Sequence, residues 1–244
     1  MNFCGIMRSD VHEGGKTLSS EFLRLYKANC KALLAPLGFK QKNTFFYRVI
    51  NDVFQYVNIQ RYRDGTTFSV TFDATPFCRG IETNLIAIGA HGFFRLEDIA
   101  PLPNYWDKSP ENIQRCATRV RELFQEHIIP FFERAIDTQT VLSELNLHEK
   151  RYWKGIVSPA TVSWKVDMCI KLGDYASAIR GLRWLINNAY RHNTYDNPII
   201  NQWISKYYEM IEWLQAQDEE RISSYVEEQE RKSRIALGLE EDVL

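Results

Sequence analysis

The sequence predicts an α+β protein, in which helices cover an antiparallel β-meander and an all-helical C-terminal region follows. Strand patterns separated by short turns fill residues 45–74, and Ser-Pro pairs typical of helix starts occur at 109–110 and 158–159. No strand pattern follows residue 150. We therefore place an α+β sheet domain at residues 1–150 and a helical extension at residues 151–244.

The first predicted helix covers Thr17–Pro36. Its apolar residues recur three or four positions apart, which is typical of an amphipathic helix, and Asn29 is the one polar residue in that series. Gly38 follows, where a left-handed backbone conformation favours glycine. One face of the sheet must be covered, and we expect this helix to cover it.

Three predicted strands follow, over Phe45–Ile50, Val53–Tyr62 and Thr66–Ala74. Asn51-Asp52 and Asp64-Gly65 join them, and two-residue turns of this composition are typical of β-hairpins. Two such turns in succession predict an antiparallel meander.

The third strand alternates apolar and polar residues, which predicts one core face and one solvent face. The residues expected on the solvent face are Thr67, Ser69, Thr71 and Asp73. Leu85–Ile88 and Phe93–Leu96 are predicted as further short strands.

Ser109-Pro110 predicts the start of a helix that Pro130 interrupts, because proline lacks a backbone donor and clashes with the preceding turn. One or two short helices are predicted between Phe131 and Leu145. Ser158-Pro159 predicts a second start, and helical patterns then continue. The expected elements are a helix to Leu172, a Gly173-Asp174 turn, a helix over 175–188, a loop over 191–198, and helices over 199–217 and 218–237.

The composition is that of an ordinary globular protein, with 244 residues, 45% hydrophobic residues and a net charge of −1. This hydrophobic fraction excludes a wholly disordered chain, and the charge gives no overall attraction to nucleic acid. No apolar stretch is long enough to span a membrane or to form a signal peptide. The five cysteines are odd in number and scattered, which predicts reduced thiols in a cytoplasmic protein.

Several short motifs recur in a familiar order between residues 37 and 106. They are Leu37-Gly38-Phe39-Lys40, Phe45-Phe46-Tyr47-Arg48, Gln60-Arg61, Phe68-Ser69-Val70 and Tyr105-Trp106. Together they resemble the bacterial family catalogued as domain of unknown function 4304, over about Leu18 to Leu145. The resemblance implies no established activity. Some small bacterial proteins of this general kind look like immunity proteins, which bind and neutralise a toxin.

The C-terminal half resembles a single tetratricopeptide-like helical hairpin. The residues that carry this resemblance are Trp164, Met168, Lys171-Leu172-Gly173-Asp174-Tyr175 and Ala178. Tetratricopeptide proteins stack several repeats of fixed period, and no second copy is visible. An ordinary antiparallel helical hairpin is the alternative.

The sequence predicts no catalytic, cofactor-binding or metal-binding residue. The five histidines (His12, His91, His127, His148 and His192) are isolated, and no phosphate-binding glycine motif occurs. Cys78 is the one candidate nucleophile, because Arg79 beside it would lower the pKa of its thiol. A buried structural cysteine is the alternative, and we favour a protein that is not an enzyme.

A nucleic-acid interface has one possible location, near the first hairpin. Basic and aromatic residues are interleaved there, at Lys40, Lys42, Arg48, Arg61, Tyr62 and Arg63. Asp52 and Asp64 lie at the adjacent turns, and the chain as a whole is not basic. This balance does not favour nucleic acid as a partner.

The sequence therefore favours a protein that binds another protein or itself. Five of the six tryptophans follow residue 150, and we expect Trp164 and Trp184 to fill the helical core. Tyr, Trp and Arg are the residue types that most often anchor interfaces. The residues predicted to line the binding surface are Tyr190, Arg191, Tyr195 and Trp203. An enzyme with an unrecognised site and a single-stranded RNA-binding module are the alternatives.

Overall fold

A computed structural model describes residues 20–61, 68–81, 94–102, 109–151, 158–192 and 197–239. Within these described residues, five strands form one antiparallel sheet in sequence order. They are β1 (Lys40–Lys42), β2 (Phe45–Ile50), β3 (Val53–Arg61), β4 (Phe68–Pro76) and β5 (Phe94–Arg95). The predicted meander, and with it the α+β fold class, is confirmed.

The β2–β3 turn is the two-residue turn that the sequence predicts, and Asn51 in it has a left-handed φ of 50°. The edge strand β1 was not predicted, because Lys40–Lys42 has no apolar alternation. Strand β5 lies within the predicted Phe93–Leu96 strand. The predicted turn at Asp64-Gly65 and strand at Leu85–Ile88 lie outside the described residues.

Helix α1 (Ser20–Leu34) packs with a later helix against one face of the sheet. Its buried residues, including Phe22 and Tyr26, meet the sheet residues Phe68 and Phe46 in aromatic contacts. The polar break Asn29 donates a 3.2 Å hydrogen bond to the carbonyl of Ala117. The predicted covering role of this helix is therefore confirmed.

The outer face of β4 is not the solvent face that its alternation predicts. Ser69, Thr71 and Asp73 are buried together with their apolar neighbours, so the prediction was wrong for these three residues, and Thr67 lies outside the described residues. A second aromatic cluster lies on that face, and the residues Ala236 and Leu237 pack against it from the far end of the chain. The cluster consists of Phe45, Phe54, Tyr56, Phe77 and Ile81. Alternation within a strand reports amphipathicity and cannot show that a distant segment covers the polar side.

The helices that follow β5 are α2 (Leu96–Ile99), α3 (Pro110–Leu123), α4 (Ile129–Arg134) and α5 (Thr138–Arg151). Ser109 caps α3 by accepting a hydrogen bond from the amide of Asn112. A π-helical turn over Phe124–Ile128 separates α3 from α4, just before Pro130. The predicted interruption of the helix at Pro130 is confirmed.

The C-terminal helices are α6 (Pro159–Lys171), α7 (Tyr175–His192), α8 (Pro198–Gln215) and α9 (Glu219–Ala236). Helix α7 continues through Tyr190 and Arg191, whereas the sequence placed its end near Asn188 and a loop from Arg191. Proline next occurs at position 198, so that no strong helix breaker ends α7 earlier. Within the described residues, no helix is both long and apolar enough to cross a bilayer.

Helix α9 packs back on the sheet region at the 3₁₀ turn Phe77–Arg79, which follows β4. The buried Ser233 hydroxyl donates to the carbonyl of Phe77 and accepts from the amide of Ile81, both at 2.7 Å. Gly80 has a left-handed φ of 62°, and a Cβ there would lie 2.0 Å from Oε1 of Gln229. The last helix and the sheet are thus in direct contact.

Candidate functional site

The exposed side of α7 carries three arginines, two aromatic residues and one asparagine. With about 100° of rotation per residue, these residues fall within an arc of about 120°. They are Arg180, Arg183, Trp184, Asn187, Tyr190 and Arg191, and all six are exposed. We call this set the α7 face.

The opposite side of α7 fixes the helix in place. Its buried residues pack into the C-terminal hydrophobic core, and they include Ala178, Leu182, Leu185 and Ile186. Gly181 allows α6 to approach closely, because a Cβ at this position would lie 2.5 Å from Cγ2 of Val166. The α7 face is therefore displayed on a packed element rather than on a loop.

The aromatic surface extends from α7 to α8. The pKa of Tyr190 is raised above its ordinary value, mainly because the phenol of Tyr208 on α8 lies near it. The side chains of Tyr190 and Tyr208 are 56% and 48% exposed, and that of Trp184 is 37% exposed. Three aromatic residues on two helices thus remain accessible to a partner.

The residues that the sequence predicts as a binding surface are only partly brought together. Tyr190 and Arg191 both lie on the α7 face, and Tyr195 lies outside the described residues. Trp203 is 48% exposed, but it lies about 140° around α8 from Tyr208, on a stripe with Ile199 and Lys206.

Sequence reasoning missed Trp184 and Tyr208. Trp184 was expected to fill the helical core, and its exposure shows that this expectation was wrong. The spacing of Arg180, Trp184, Asn187 and Arg191 is the signal that could have found it, because residues three or four apart share one helix face. A tryptophan within a polar stripe is exposed.

The charge of this region is mostly positive, although the carboxyl group of Asp174, just before α7, interacts electrostatically with Arg180. Between Tyr175 and Tyr208 the chain contains Arg180, Arg183, Arg191 and Lys206, and its only acidic residue is Asp196. None of these four cations forms an ion pair with a carboxylate in the described part of the chain. The α7 face is therefore positive and aromatic.

A separate cleft of about 420 Å³ lies between β4, β5 and the helices α4 and α5. The π-helical turn supplies Glu126 and His127 to its wall, and α5 supplies Glu144 and His148. Burial lowers the pKa of His148 to about 4, so that this imidazole is neutral at pH 7, and its ring meets Phe94 edge-on at 4.5 Å. The described lining contains no Ser, Thr, Cys or Lys nucleophile. The groups of the cleft that can take part in acid–base chemistry are Glu126, His127, Glu144 and His148.

Cys78 lies in the protein interior, below the contact between α9 and the sheet. Burial raises the pKa of its thiol to about 12, and the charge of Asp167 adds to this effect, while Arg79 only partly opposes it. The guanidinium of Arg79 packs on Trp164, with 3.1 Å between Cζ and the ring centroid. The alternative of a buried structural cysteine therefore describes Cys78 better than a nucleophile does.

Comparison with known families concerns the sheet region. Residues 30–134 match the family described as "Domain of unknown function (DUF4304)". Searches of curated proteins and of solved structures found no match. The match covers the meander, α3 and α4, which agrees with the resemblance drawn from the sequence motifs.

The α7 face lies outside the region that matches DUF4304. The cleft lies partly inside the matched region. Phe94, Glu126 and His127 fall within the matched residues, whereas Glu144 and His148 follow them. The charge and aromatic pattern of α7 is consequently a property of this chain's helical region and is not taken from the DUF4304 match.

The basic residues of the first hairpin do not form one exposed surface. Arg48 donates to the carbonyls of Leu37 and Phe132 and to Oε1 of Gln55, so that it holds the sheet to α4. Lys40 and Lys42 are exposed on β1. Tyr62 and Arg63 lie outside the described residues.

Among the described residues, no group of three or more His, Cys, Asp or Glu side chains is placed to hold a metal ion.

Proposed function

We propose that this protein acts by binding another protein through the α7 face and the adjoining Tyr208, and that it is not an enzyme. The observation that supports this proposal is the concentration of exposed large hydrophobic residues. Nine such residues occur in the described part of the chain, and three of them, Trp184, Tyr190 and Tyr208, lie on or beside the α7 face. Exposed apolar groups that cluster in one region of a surface are typical of interaction sites.

The residue types and their support agree with this function. Trp184 and Tyr190 offer large rigid contact areas with a polar atom each, and Arg191 beside them offers a planar set of donors. Residues of these three types are enriched among the few that dominate the binding free energy of measured interfaces. Because α7 is packed on its other side, a partner would bind it without ordering a loop.

We further propose the bacterial cytoplasm as the place of action and an immunity-type role, in which the protein binds and neutralises a toxin. This part of the proposal is supported by the family resemblance of the sheet region and by its scattered buried cysteines. A gene for a toxin next to the gene for this protein would support the role, and a metabolic operon would count against it.

The test compares affinity capture of partners by three forms of the full-length protein. The Trp184→Ala/Tyr190→Ala variant removes two aromatic anchors, and the Val49→Ala/Leu239→Ala variant removes two exposed hydrophobic residues from outside both candidate sites. We expect quantitative mass spectrometry to show a partner that the wild type and the control variant retain and that the aromatic variant loses. Equal recovery by all three proteins, with circular dichroism showing intact folds, would contradict the proposal.

An enzyme acting in the cleft is the second candidate, and the π-helical turn is the observation that favours it. Such turns occur frequently at functional sites, and this one places Glu126 and His127 at the cleft. A melting-temperature screen with small metabolites tests this candidate. A ligand that stabilises the wild type but not a Glu126→Gln/His127→Ala variant would support this candidate. Equal stabilisation of the wild type and the variant would show that the ligand binds elsewhere.

A further inference from the structure

We infer that the α7 face selects an acidic partner, namely a protein surface that carries carboxylates around an apolar strip. This inference rests on the proposed binding function and specifies the chemistry of the partner. Arg180 and Arg191 lie eleven positions apart on one stripe, which corresponds to about 16 Å along the helix axis. Trp184 lies between them on the same stripe, so that the cations flank an aromatic centre.

Charge complementarity supports this choice of partner. The cations of the α7 face have no ion-pair partner among the described carboxylates, and Lys206 adds a further positive charge on α8. Exposed arginines flanking an aromatic centre attract carboxylates during encounter and disfavour partners of like charge. A helix with carboxylates three or four residues apart would place them on one face opposite the arginines.

A second copy of the chain does not fit this face. In a two-fold symmetric dimer the same patch meets itself, so that Arg180, Arg183 and Arg191 of one copy would approach those of the other. Like charges brought together across an interface are destabilising. Self-association through the α7 face is therefore disfavoured.

Single-stranded RNA fits less well than an acidic protein. Proteins of that type commonly track the nucleic-acid backbone along a positively charged groove, with aromatic residues stacking on successive bases. The α7 face is instead the convex side of a single helix, and the chain as a whole carries a net charge of −1. The experiment must therefore distinguish RNA binding from binding of an acidic protein.

The experiment uses three labelled probes and fluorescence anisotropy. The probes are an amphipathic peptide of about 18 residues built from Glu, Leu and Ala, the same peptide with Lys replacing Glu, and an oligouridylate of about 12 nucleotides. The test variant is Arg180→Glu/Arg183→Glu/Arg191→Glu. The control variant Lys31→Glu/Lys40→Glu/Lys42→Glu makes the same change in net charge at three exposed lysines elsewhere.

We expect the wild type to bind the Glu peptide and not the Lys peptide. The arginine variant should bind the Glu peptide at least about tenfold more weakly, and the control variant should bind within about twofold of the wild type. Binding should also weaken as the ionic strength rises from about 0.05 M to about 0.3 M.

Three results would overturn the inference. They are absence of binding to the Glu peptide, equal losses in the arginine and control variants, and tighter binding of oligouridylate than of the Glu peptide. The Trp184→Ala/Tyr190→Ala capture experiment separates the two claims. If that variant loses its partner while the arginine variant keeps it, the binding function stands and the acidic character of the partner is wrong.

Discussion

The hydroxyl of Tyr225 donates a 2.8 Å hydrogen bond to the carboxylate of Asp167, and this bond joins α9 to α6. Both residues are partly buried. Burial raises the pKa of Asp167 to about 7, although the bond from Tyr225 and the charge of Arg79 both act to lower it. The carboxyl group that connects these two helices therefore titrates near neutral pH.

The pKa of Asp167 predicts that the stability of the protein falls as the pH rises toward neutrality. A group whose folded-state pKa is raised contributes stability below its unfolded pKa of 3.8 and loses it as the pH rises through about 7. Relative to an Asp167→Asn variant, the wild-type free energy of unfolding should decrease between about pH 4 and pH 8, by at most on the order of 4 kcal/mol. Urea denaturation of both proteins at several pH values measures this difference.

Asp174 provides the control of opposite sign for this experiment. Hydrogen bonds from Ser177 lower the pKa of its exposed carboxyl group, so that its contribution is present above the unfolded pKa and is lost as the pH falls. The Asp174→Asn comparison should therefore change only in acid. A wild-type advantage over Asp167→Asn that stays constant or grows with pH would contradict the prediction.

Gln55 is predicted to be the most costly polar residue of the sheet to remove. Its fully buried amide donates to the carbonyls of Phe132 and Ala135 at 2.9 Å and 2.7 Å, and its Oε1 accepts from Arg48. A Gln55→Ala variant leaves these groups without a partner, and we expect a loss of about 3 kcal/mol in the free energy of unfolding.

The matched control for this prediction is Gln41→Ala on the exposed strand β1. Gln41 donates to the carbonyl of Asn43 at the surface, where water can replace it, and the expected change is below about 0.5 kcal/mol. Chemical denaturation of both variants decides the matter. Equal losses would show that the contact between the sheet and α4 does not depend on Gln55.

The cysteines are predicted to be unreactive in the folded protein. The structure describes Cys30, Cys78, Cys116 and Cys169, and all four are buried. Burial raises the pKa of the Cys169 thiol to about 11 and that of Cys78 to about 12, so that thiolates are scarce near neutral pH. A Cys4→Ser variant should therefore react with a thiol reagent at about pH 8 only after denaturation. Rapid labelling of Cys78 in the native state would reopen its assignment as a nucleophile.

Local sequence patterns predicted the elements of this protein better than their surroundings. The predicted strand over Phe45–Ile50 matches β2, and the start of the predicted strand at Val53 matches β3, because apolar and β-branched residues lie between clear turn signals. The burial of Asp73 was missed, because the aromatic cluster beside it is closed by Ala236 and Leu237 from the other end of the chain. No local pattern contains such long-range information.

In the candidate binding surface too, some residues could be predicted from the sequence and others could not. Tyr190 and Arg191 could be predicted from residue type, since both lie near a polar segment. Trp184 could not be assigned from type alone, because tryptophan occurs in cores and at interfaces alike. Its exposure follows from its helical spacing with Arg180, Asn187 and Arg191, on the side of α7 away from the buried Leu182.

The proposed boundary near Lys150 predicts that a fragment of residues 1–150 keeps its sheet. The core between the sheet, α1, α3 and α4 is built mostly from residues before 150, and Met168 is its one buried member after that position among the described residues. The fragment loses the hydrogen bonds of Ser233 and the cover that Ala236 and Leu237 provide. We therefore expect a folded fragment with sheet-type circular dichroism and a lower melting temperature than the full chain.

A shorter fragment that ends at Leu123 is the control for this boundary. It lacks α4, whose Phe131 and Phe132 contact Phe72 in the centre of the core, and we expect it to be unfolded. Thermal melts of both fragments and the full chain, followed by circular dichroism, test the boundary. If residues 1–150 are as unfolded as residues 1–123, the two regions share one cooperative core, because the contact of α9 with the Phe77–Arg79 turn is then needed for the sheet to form.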